Sequence, residues 1–138
     1  MTVDEIKSKL QRCRFINLQI EMHEEELDRL YSIAEKVTTT LSQMPVHGSD
    51  GDKMANNVVN IVEMEKAINS KICELIAARE EAEVIMSALK EPRQRLVIEC
   101  YYFSTRTWEQ CCVKLNYSWR QIHRIHSNAL CCMAEKMA

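Results

Sequence analysis

The stretch that decides the fold of the C-terminal third lies at residues 107–130 and reads TWEQCCVKLNYSWRQIHRIHSNAL. Thr107 is followed three positions later by Gln110, which is the spacing of a capping box at the start of a helix. Asn116 tolerates the left-handed backbone conformation at a helix end, and Ser118 is a typical N-cap for a following helix. The stretch therefore predicts two helices joined by a turn of about three residues.

A further helix is predicted just before this stretch. It begins at Pro92, which suits the first turn of a helix because its missing N–H is not needed there. Residues 104–106 form a short link to the next helix. The apolar side chains expected to face inward are Leu96, Val97, Cys100 and Tyr101 or Phe103 in the first helix, Trp108, Cys111, Cys112 and Leu115 in the second, and Ile122, Ile125, Ala129, Leu130 and Met133 in the third. Helix, link, helix, tight turn, helix is the layout of a helix-turn-helix module.

The last of these helices carries the predicted DNA contacts. In a helix-turn-helix module, the N-terminal part of the second helix protrudes and fits the major groove. Here it would present Trp119, Arg120, Gln121, His123, Arg124 and Ser127. Arginine and glutamine side chains make paired hydrogen bonds to base edges. Arg106, Thr107, Lys114 and Ser118 complete the predicted DNA-binding set, and three of them, Arg106, Lys114 and Ser118, are placed for backbone phosphates.

Three aromatic side chains of this helix, one tryptophan and two histidines, have further predicted roles. Trp119 either stacks on a sugar or a thymine methyl group, or packs against the preceding helix. His123 and His126 are expected on an exposed helix surface, where histidine titrates near neutral pH and its charge would strengthen phosphate contacts in acid.

Charge divides the chain at Pro92. Residues 1–91 hold 11 basic and 17 acidic side chains, a balance of −6, whereas residues 92–138 hold 7 basic and 3 acidic side chains, a balance of +4. No acidic residue occurs between Lys114 and Ala134. This asymmetry predicts two domains, an acidic oligomerisation part at 1–91 and a basic part at 92–138 that meets an anion such as nucleic acid.

The acidic part is predicted to form two long helices. Apolar residues recur in steps of three and four, which places them on one stripe of each helix. The first stripe contains Val3, Ile6, Leu10, Cys13, Ile16, Ile20, Leu27, Leu30, Ala34, Val37, Leu41 and Met44, and the second contains Met54, Val58, Ile61, Ile68, Ile72, Leu75, Ala82, Met86 and Leu89. The segment 44–52 holds one proline and both glycines, and it is predicted to be the turn. Ser49, Asp50 and Asp52 are candidate caps for the second helix.

An antiparallel helical hairpin with coiled-coil packing is the natural arrangement of two long helices joined by a short turn. Two helices alone bury little apolar surface. The hairpin alone would leave some apolar side chains in need of cover, namely Ile16, Val59, Val62, Ile76 and Val84. We therefore expect self-association into a homodimer or a higher oligomer through this hairpin.

The segment from about Pro92 to Met133 resembles region 4 of bacterial sigma factors, the module that binds the upstream promoter element. The likeness is carried by TWEQCCVKLNYS at residues 107–118, by Ile122, and by the pair Ala129 and Leu130. It is most similar to phage and prophage regulators of Gram-positive bacteria, which carry such a module after a helical N-terminal segment. The chain departs from the pattern at Cys112, where the family usually has alanine, and at Asn116, where it usually has glycine.

Together these features predict a sequence-specific, double-stranded-DNA-binding transcriptional regulator of a phage or an integrated element, with a recognition helix that begins at Ser118. RNA polymerase is a further partner that the resemblance implies. Two alternatives stay open. One is the small terminase subunit of phage DNA packaging, and the other is a coiled-coil adaptor that contacts RNA polymerase without binding DNA.

Composition excludes several other classes. With 2 glycines and 2 prolines in 138 residues, the chain lacks the turn formers that sandwiches, barrels and propellers need, so an all-α fold is expected. The acidic start of the chain is unlike a signal peptide, and no apolar run is long enough to cross a bilayer, so we expect the bacterial cytoplasm and no membrane contact. No converging catalytic groups are recognisable, so we expect no enzyme activity.

Seven cysteines in such a compartment are expected to be free thiols that act as small apolar packing residues. Two adjacent pairs, Cys111 with Cys112 and Cys131 with Cys132, flank the two histidines. Zinc ligands usually stand two to four residues apart, because neighbouring residues on a helix point about 100° apart. We therefore expect no metal and no cofactor.

Overall fold

The computed structural model describes residues 1–43 and 48–138, and its side-chain detail covers residues 1–36 and 53–138. Within these residues the chain forms five helices and no strand, which confirms the predicted all-α fold. The helices are α1 (Val3–Gln43), α2 (Gly48–Met86), α3 (Pro92–Tyr102), α4 (Trp108–Leu115) and α5 (Trp119–Lys136). Over the part of the chain that is described, none of them combines the length and the apolar character that a membrane-spanning segment requires.

The chain divides into two compact units. Residues 1–18 and 74–138 form one, here called the terminal unit, and residues 19–73 form the other, here called the central unit. Residues 92–138 therefore share their unit with one end of each long helix. The sequence-based division into domains 1–91 and 92–138 remains a prediction.

The two long helices pack against each other, which confirms the predicted hairpin. In the terminal unit, Lys9 Nζ lies 3.5 Å from Glu81 Oε2. In the central unit, the Tyr31 hydroxyl donates a hydrogen bond of 2.5 Å to Glu65 Oε1. The start of α1 thus pairs with the end of α2, and a later part of α1 pairs with an earlier part of α2. The two helices therefore run antiparallel.

The predicted turn at 44–52 falls largely outside the described residues. α1 ends at Gln43 and α2 begins at Gly48, so α2 starts inside the segment predicted to be turn. Residues 44–47 lie outside the described part of the chain. The candidate caps Ser49, Asp50 and Asp52 also lie outside the residues whose side chains are described.

The core of the terminal unit combines residues from every helix. Its fully buried apolar side chains are Ile6, Leu10, Cys13, Ala82, Met86, Val97, Ile98, Tyr102, Cys111, Ile122, Ala129 and Met133. Ile16, predicted to need a cover, is buried in this unit as well. The contributions of α1 and α2 show that residues 92–138 are packed against the hairpin ends.

The inward face of α3 differs from the prediction. Leu96 is 46% exposed, whereas Tyr102, which was not among the predicted inward residues, is fully buried. The reason is that α3 is covered on two sides. Val97 and Cys100 form one buried row, and Ile98 and Tyr102 form another. A single apolar stripe, as the sequence suggested, would bury only the first row.

The buried row of α2 in the central unit also differs from the predicted stripe. Val58 and Ile72 are 51% and 38% exposed, although both were expected to face α1. The residues that turn inward are Ile61 and Ile68, alternating with the half-buried Asn57, Met64 and Lys71. These positions follow steps of four and three, which is the seam of a coiled coil. Val59 and Val62 lie outside this seam and stay exposed, as predicted.

Candidate nucleic-acid interface

Helices α4 and α5 are joined by a three-residue turn whose local interactions are complete. The Gln110 backbone N–H donates to Thr107 Oγ1 (3.2 Å), and the Thr107 N–H donates to Gln110 Oε1 (2.9 Å), so the predicted capping box is present. Asn116 adopts the left-handed conformation (φ 58°, ψ 44°), and its N–H donates to the carbonyl of Cys112. Ser118 Oγ then accepts from the Gln121 N–H (3.1 Å) and starts α5.

A small core fixes the angle of α5 against α3 and α4. It consists of Val97 and Cys100 from α3, Cys111 from α4 and Ile122 from α5. Half-buried apolar side chains surround it, namely Tyr101, Trp108, Cys112, Leu115, Tyr117 and Ile125. Because these residues hold one face of α5, its opposite face is left in solvent.

The solvent face of α5 is cationic. Arg120 and Arg124 are exposed, and neither forms an ion pair with any described residue. Asn128 is exposed one further turn along the same row. We call these three residues the α5 row. Asn128 was missed by the sequence analysis, although its position four residues after Arg124 would have placed it on the same face.

The other predicted DNA-binding residues differ in their exposure. Thr107, Lys114, Ser118 and Ser127 are exposed, whereas Arg106 and Gln121 are half-buried. Gln121, Arg124 and Asn128 also line a cleft of about 270 Å³ against the first turn of α3, where Arg93, Gln94 and the acidic Glu91 form the other wall. The sequence analysis did not include Arg93 or Gln94, because no local pattern connects α3 to this face of α5.

His123 stands apart from the α5 row. Its ring is half-buried, with the ring centroid 4.8 Å from that of Trp108 and 4.4 Å from that of Trp119. Its Nε2 atom is buried and has no hydrogen-bond partner among the described residues. Trp119 itself is 55% exposed and meets His123 edge-on, so the structure gives it a neighbour on its own helix while leaving part of the indole in solvent.

The expectation of an exposed, near-neutral His126 is wrong. His126 is buried, and its Nε2 lies 2.6 Å from the Tyr102 hydroxyl. Burial lowers the pKa of His126 to about 4, and the nearby charges of Lys7 and His123 act in the same direction. Burial also raises the pKa of Tyr102 above its ordinary value. His126 lies between Ile122 and Ala129 on the buried row of α5, and that spacing was the signal for its burial.

A chain of ring contacts joins α1 to the start of α5. Arg14 Nη1 donates to the carbonyls of Tyr101 (2.8 Å) and Ser104 (3.2 Å), and its guanidinium lies 4.1 Å above the Tyr101 ring. Tyr101 stacks on Trp108 with centroids 3.9 Å apart and an interplanar angle of 11°. Trp108 in turn contacts His123. These contacts fasten the α3–α4 corner to the hairpin within the terminal unit.

The cysteines divide by burial. Cys13, Cys100 and Cys111 are buried, whereas Cys73 and Cys131 are exposed. Burial, aided by a hydrogen bond with the Cys100 thiol, raises the pKa of Cys111 to about 12. Among the residues that the structure describes, no three histidine, cysteine or carboxylate side chains are grouped so that they could hold a metal ion.

Comparison with known proteins gives one match. Residues 36–133 match the family model described as "Protein of unknown function (DUF1492)". No curated protein and no solved structure matches the chain.

Proposed function

The chain belongs to the DUF1492 family of proteins of unknown function, and we propose that it is a DNA-binding transcriptional regulator that reads double-stranded DNA with the exposed face of α5. The observation that carries this proposal is the α5 row. Arg120 and Arg124 project from the N-terminal half of a helix that a core holds in place, and no described carboxylate lies within ion-pair distance of them. Guanidinium groups free on such a surface are suited to base edges and phosphates.

Two kinds of DNA contact are expected, one from the α5 row and one from basic residues of α3 and α4. Arginine binds guanine bidentately, and asparagine binds adenine in the same way, so Arg120, Arg124 and Asn128 are candidates for base contacts. Lys114 in the last turn of α4 and Arg93 in the first turn of α3 are candidates for phosphate contacts. The helix-turn-helix layout and the resemblance to sigma factor region 4 support a promoter or an operator of a phage or prophage as the target.

We further propose that the central unit joins two copies of the chain. Four valine and isoleucine side chains of α2 lie outside the hairpin seam in this unit, namely Val58, Val59, Val62 and Ile72. A second copy would remove them from water. One module with few cationic contacts binds DNA weakly, and a linked second module raises the effective affinity because it binds intramolecularly.

The test uses the full chain in a selection for bound DNA sequences, followed by titration of the selected duplex at several salt concentrations. We expect saturable binding that weakens steeply with salt. Replacement of both Arg120 and Arg124 by alanine should abolish it. Replacement of Lys53 and Lys66 by alanine is the matched control, because it removes the same charge from exposed positions of α2.

Three outcomes would contradict the proposal. Absence of saturable binding by the unaltered chain would exclude the DNA function. If the Lys53 and Lys66 control variant lost DNA binding to the same extent, the binding would depend on net charge and not on the α5 row. Regulatory activity that survives the double arginine substitution would favour an adaptor that contacts RNA polymerase. The assembly size, measured by light scattering, separates a dimeric or tetrameric regulator from the many-membered ring of a packaging subunit.

A further inference from the structure

A cavity of about 500 Å³ opens within the terminal unit, beside the part of α5 that carries His123 and His126. Its walls come from four helices. The residues that matter for its chemistry are Asp4 and Lys7 of α1, Tyr101 of α3, Trp108 of α4, and His123 and Ser127 of α5. This volume lies in the range of cavities that take small organic ligands.

The inner wall of the cavity is aromatic. Tyr101 and Trp108 are stacked on each other, and His123 and His126 both lie with ring centroids 4.8 Å from that of Trp108. All four rings contribute to the lining of the cavity. An aromatic guest gains both apolar burial and edge-to-face contacts from a wall of this kind.

Opposite charges flank the cavity. Asp4 and Lys7 are exposed and stand one turn apart on α1, and both line the cavity. Neither forms an ion pair or a side-chain hydrogen bond with a described residue. A carboxylate beside an ammonium group is suited to a ligand that itself carries both charges.

We propose that this cavity binds a free aromatic amino acid. The ring of the ligand lies against Trp108 and His123, its carboxylate is held by the Lys7 ammonium, and its ammonium is held by the Asp4 carboxylate. L-Tyrosine and L-phenylalanine are both expected to bind, because each carries an aromatic ring and both charges. This site goes beyond the DNA function proposed above and does not depend on it.

The experiment is isothermal titration of the full chain with L-tyrosine and L-phenylalanine up to millimolar concentration. We expect saturable binding of both amino acids with one site per chain. Two analogues test the charges separately. 3-Phenylpropionate lacks the ammonium group and phenethylamine lacks the carboxylate, and each should bind at least about tenfold more weakly than phenylalanine.

Variants assign the charges to residues. Lys7→Met should weaken the binding of phenylalanine and 3-phenylpropionate but leave that of phenethylamine unchanged. Asp4→Asn should weaken the binding of phenylalanine and phenethylamine but leave that of 3-phenylpropionate unchanged. Lys9→Met is the matched control, because Lys9 lies on the same helix but pairs with Glu81 outside the cavity. All three positions lie outside the buried core, so the fold should be kept, and circular dichroism checks this.

The proposal is overturned if neither amino acid produces saturable heat at millimolar concentration. It is also overturned if Lys7→Met and Asp4→Asn bind both analogues as the unaltered chain does, or if Lys9→Met loses binding to the same extent. Because these readouts contain no DNA, they are independent of the outcome of the DNA-binding test.

Discussion

Acid should destabilise the terminal unit through a single buried imidazole, that of His126. The groups that face it are Lys7 of α1, Tyr102 of α3, Trp108 of α4 and His123 of α5. The Asp4 carboxylate lines the same cavity as His126 but is not among the charges that shift its pKa. No negative charge therefore stabilises a protonated ring. The folded protein therefore keeps His126 neutral, whereas in the unfolded chain it takes up a proton at the ordinary pKa of histidine.

The sign and size of the effect follow from the two pKa values. The pKa of His126 is lowered from 6.5 to about 4 on folding. Its contribution to stability is fully present above pH 6.5 and is lost as the pH falls toward 4, because the unfolded state binds the proton first. Each unit of pKa difference corresponds to about 1.4 kcal/mol, so the total loss is about 3 kcal/mol, of which about 2 kcal/mol falls between pH 7 and pH 5.

Urea unfolding followed by tryptophan fluorescence measures this loss selectively. Both tryptophans of the chain, Trp108 and Trp119, belong to the terminal unit. Comparison of the unaltered chain with His126→Gln at pH 7, 6 and 5 isolates the histidine from the carboxylates that titrate in the same range. The variant should be less stable at pH 7 but should lose about 2 kcal/mol less than the unaltered chain between pH 7 and pH 5.

Tyr102→Phe is the matched control. It removes the hydroxyl that pairs with His126 and should cost about 1 kcal/mol at every pH. It keeps the burial that is the main cause of the lowered pKa, so the dependence on pH should remain. If His126→Gln shows the same loss between pH 7 and pH 5 as the unaltered chain, the argument from burial is refuted.

Three further predictions concern the turn, a helix cap and the thiols. Asn116→Val should lower the free energy of unfolding by about 1–2 kcal/mol, because a branched residue resists the left-handed conformation, and Asn116→Gly should not; thermal unfolding of both variants checks this. Thr107→Ala should cost about 1 kcal/mol through loss of the capping box, whereas the exposed Thr105→Ala should change stability by less than about 0.5 kcal/mol in urea titrations. Iodoacetamide should modify Cys131 in the native protein and Cys111 only on unfolding, because Cys111 is buried and its pKa is raised. Mass spectrometry of the modified peptides measures both rates, and equal rates for the two cysteines would contradict this prediction.

Features with a local cause could be predicted from the sequence. The capping box at Thr107, the left-handed turn at Asn116 and the cap at Ser118 each depend on side chains and backbone groups within a few residues. The exposure of Arg120 and Arg124 also follows from local spacing, since the apolar row of the same helix fixes which face turns inward.

Features that depend on a distant partner could not be predicted in the same way. Two sets of α2 positions have a spacing that could face α1. The set with Val58 and Ile72 is the more apolar, but these two residues are exposed. The set with Asn57 and Met64 is the one that faces inward. Which of the two sets faces inward depends on packing against α1, which is distant in sequence. The burial of Tyr102 and His126 has the same origin, because residues of α1 cover α3 and α5.

The terminal unit is assembled from the two ends of the chain, and this has a consequence for biosynthesis. Residues 1–18 leave the ribosome before their partners, residues 74–138, which emerge only after the intervening segment 19–73. The apolar side chains of residues 1–18 therefore stay exposed to solvent while residues 19–73 are synthesised; they include Ile6, Leu10 and Cys13. Closing so long a loop is slow, because its entropy must be lost before the distant contacts form. Nascent chains of this protein should thus be most prone to aggregation just before α3, α4 and α5 emerge from the ribosome.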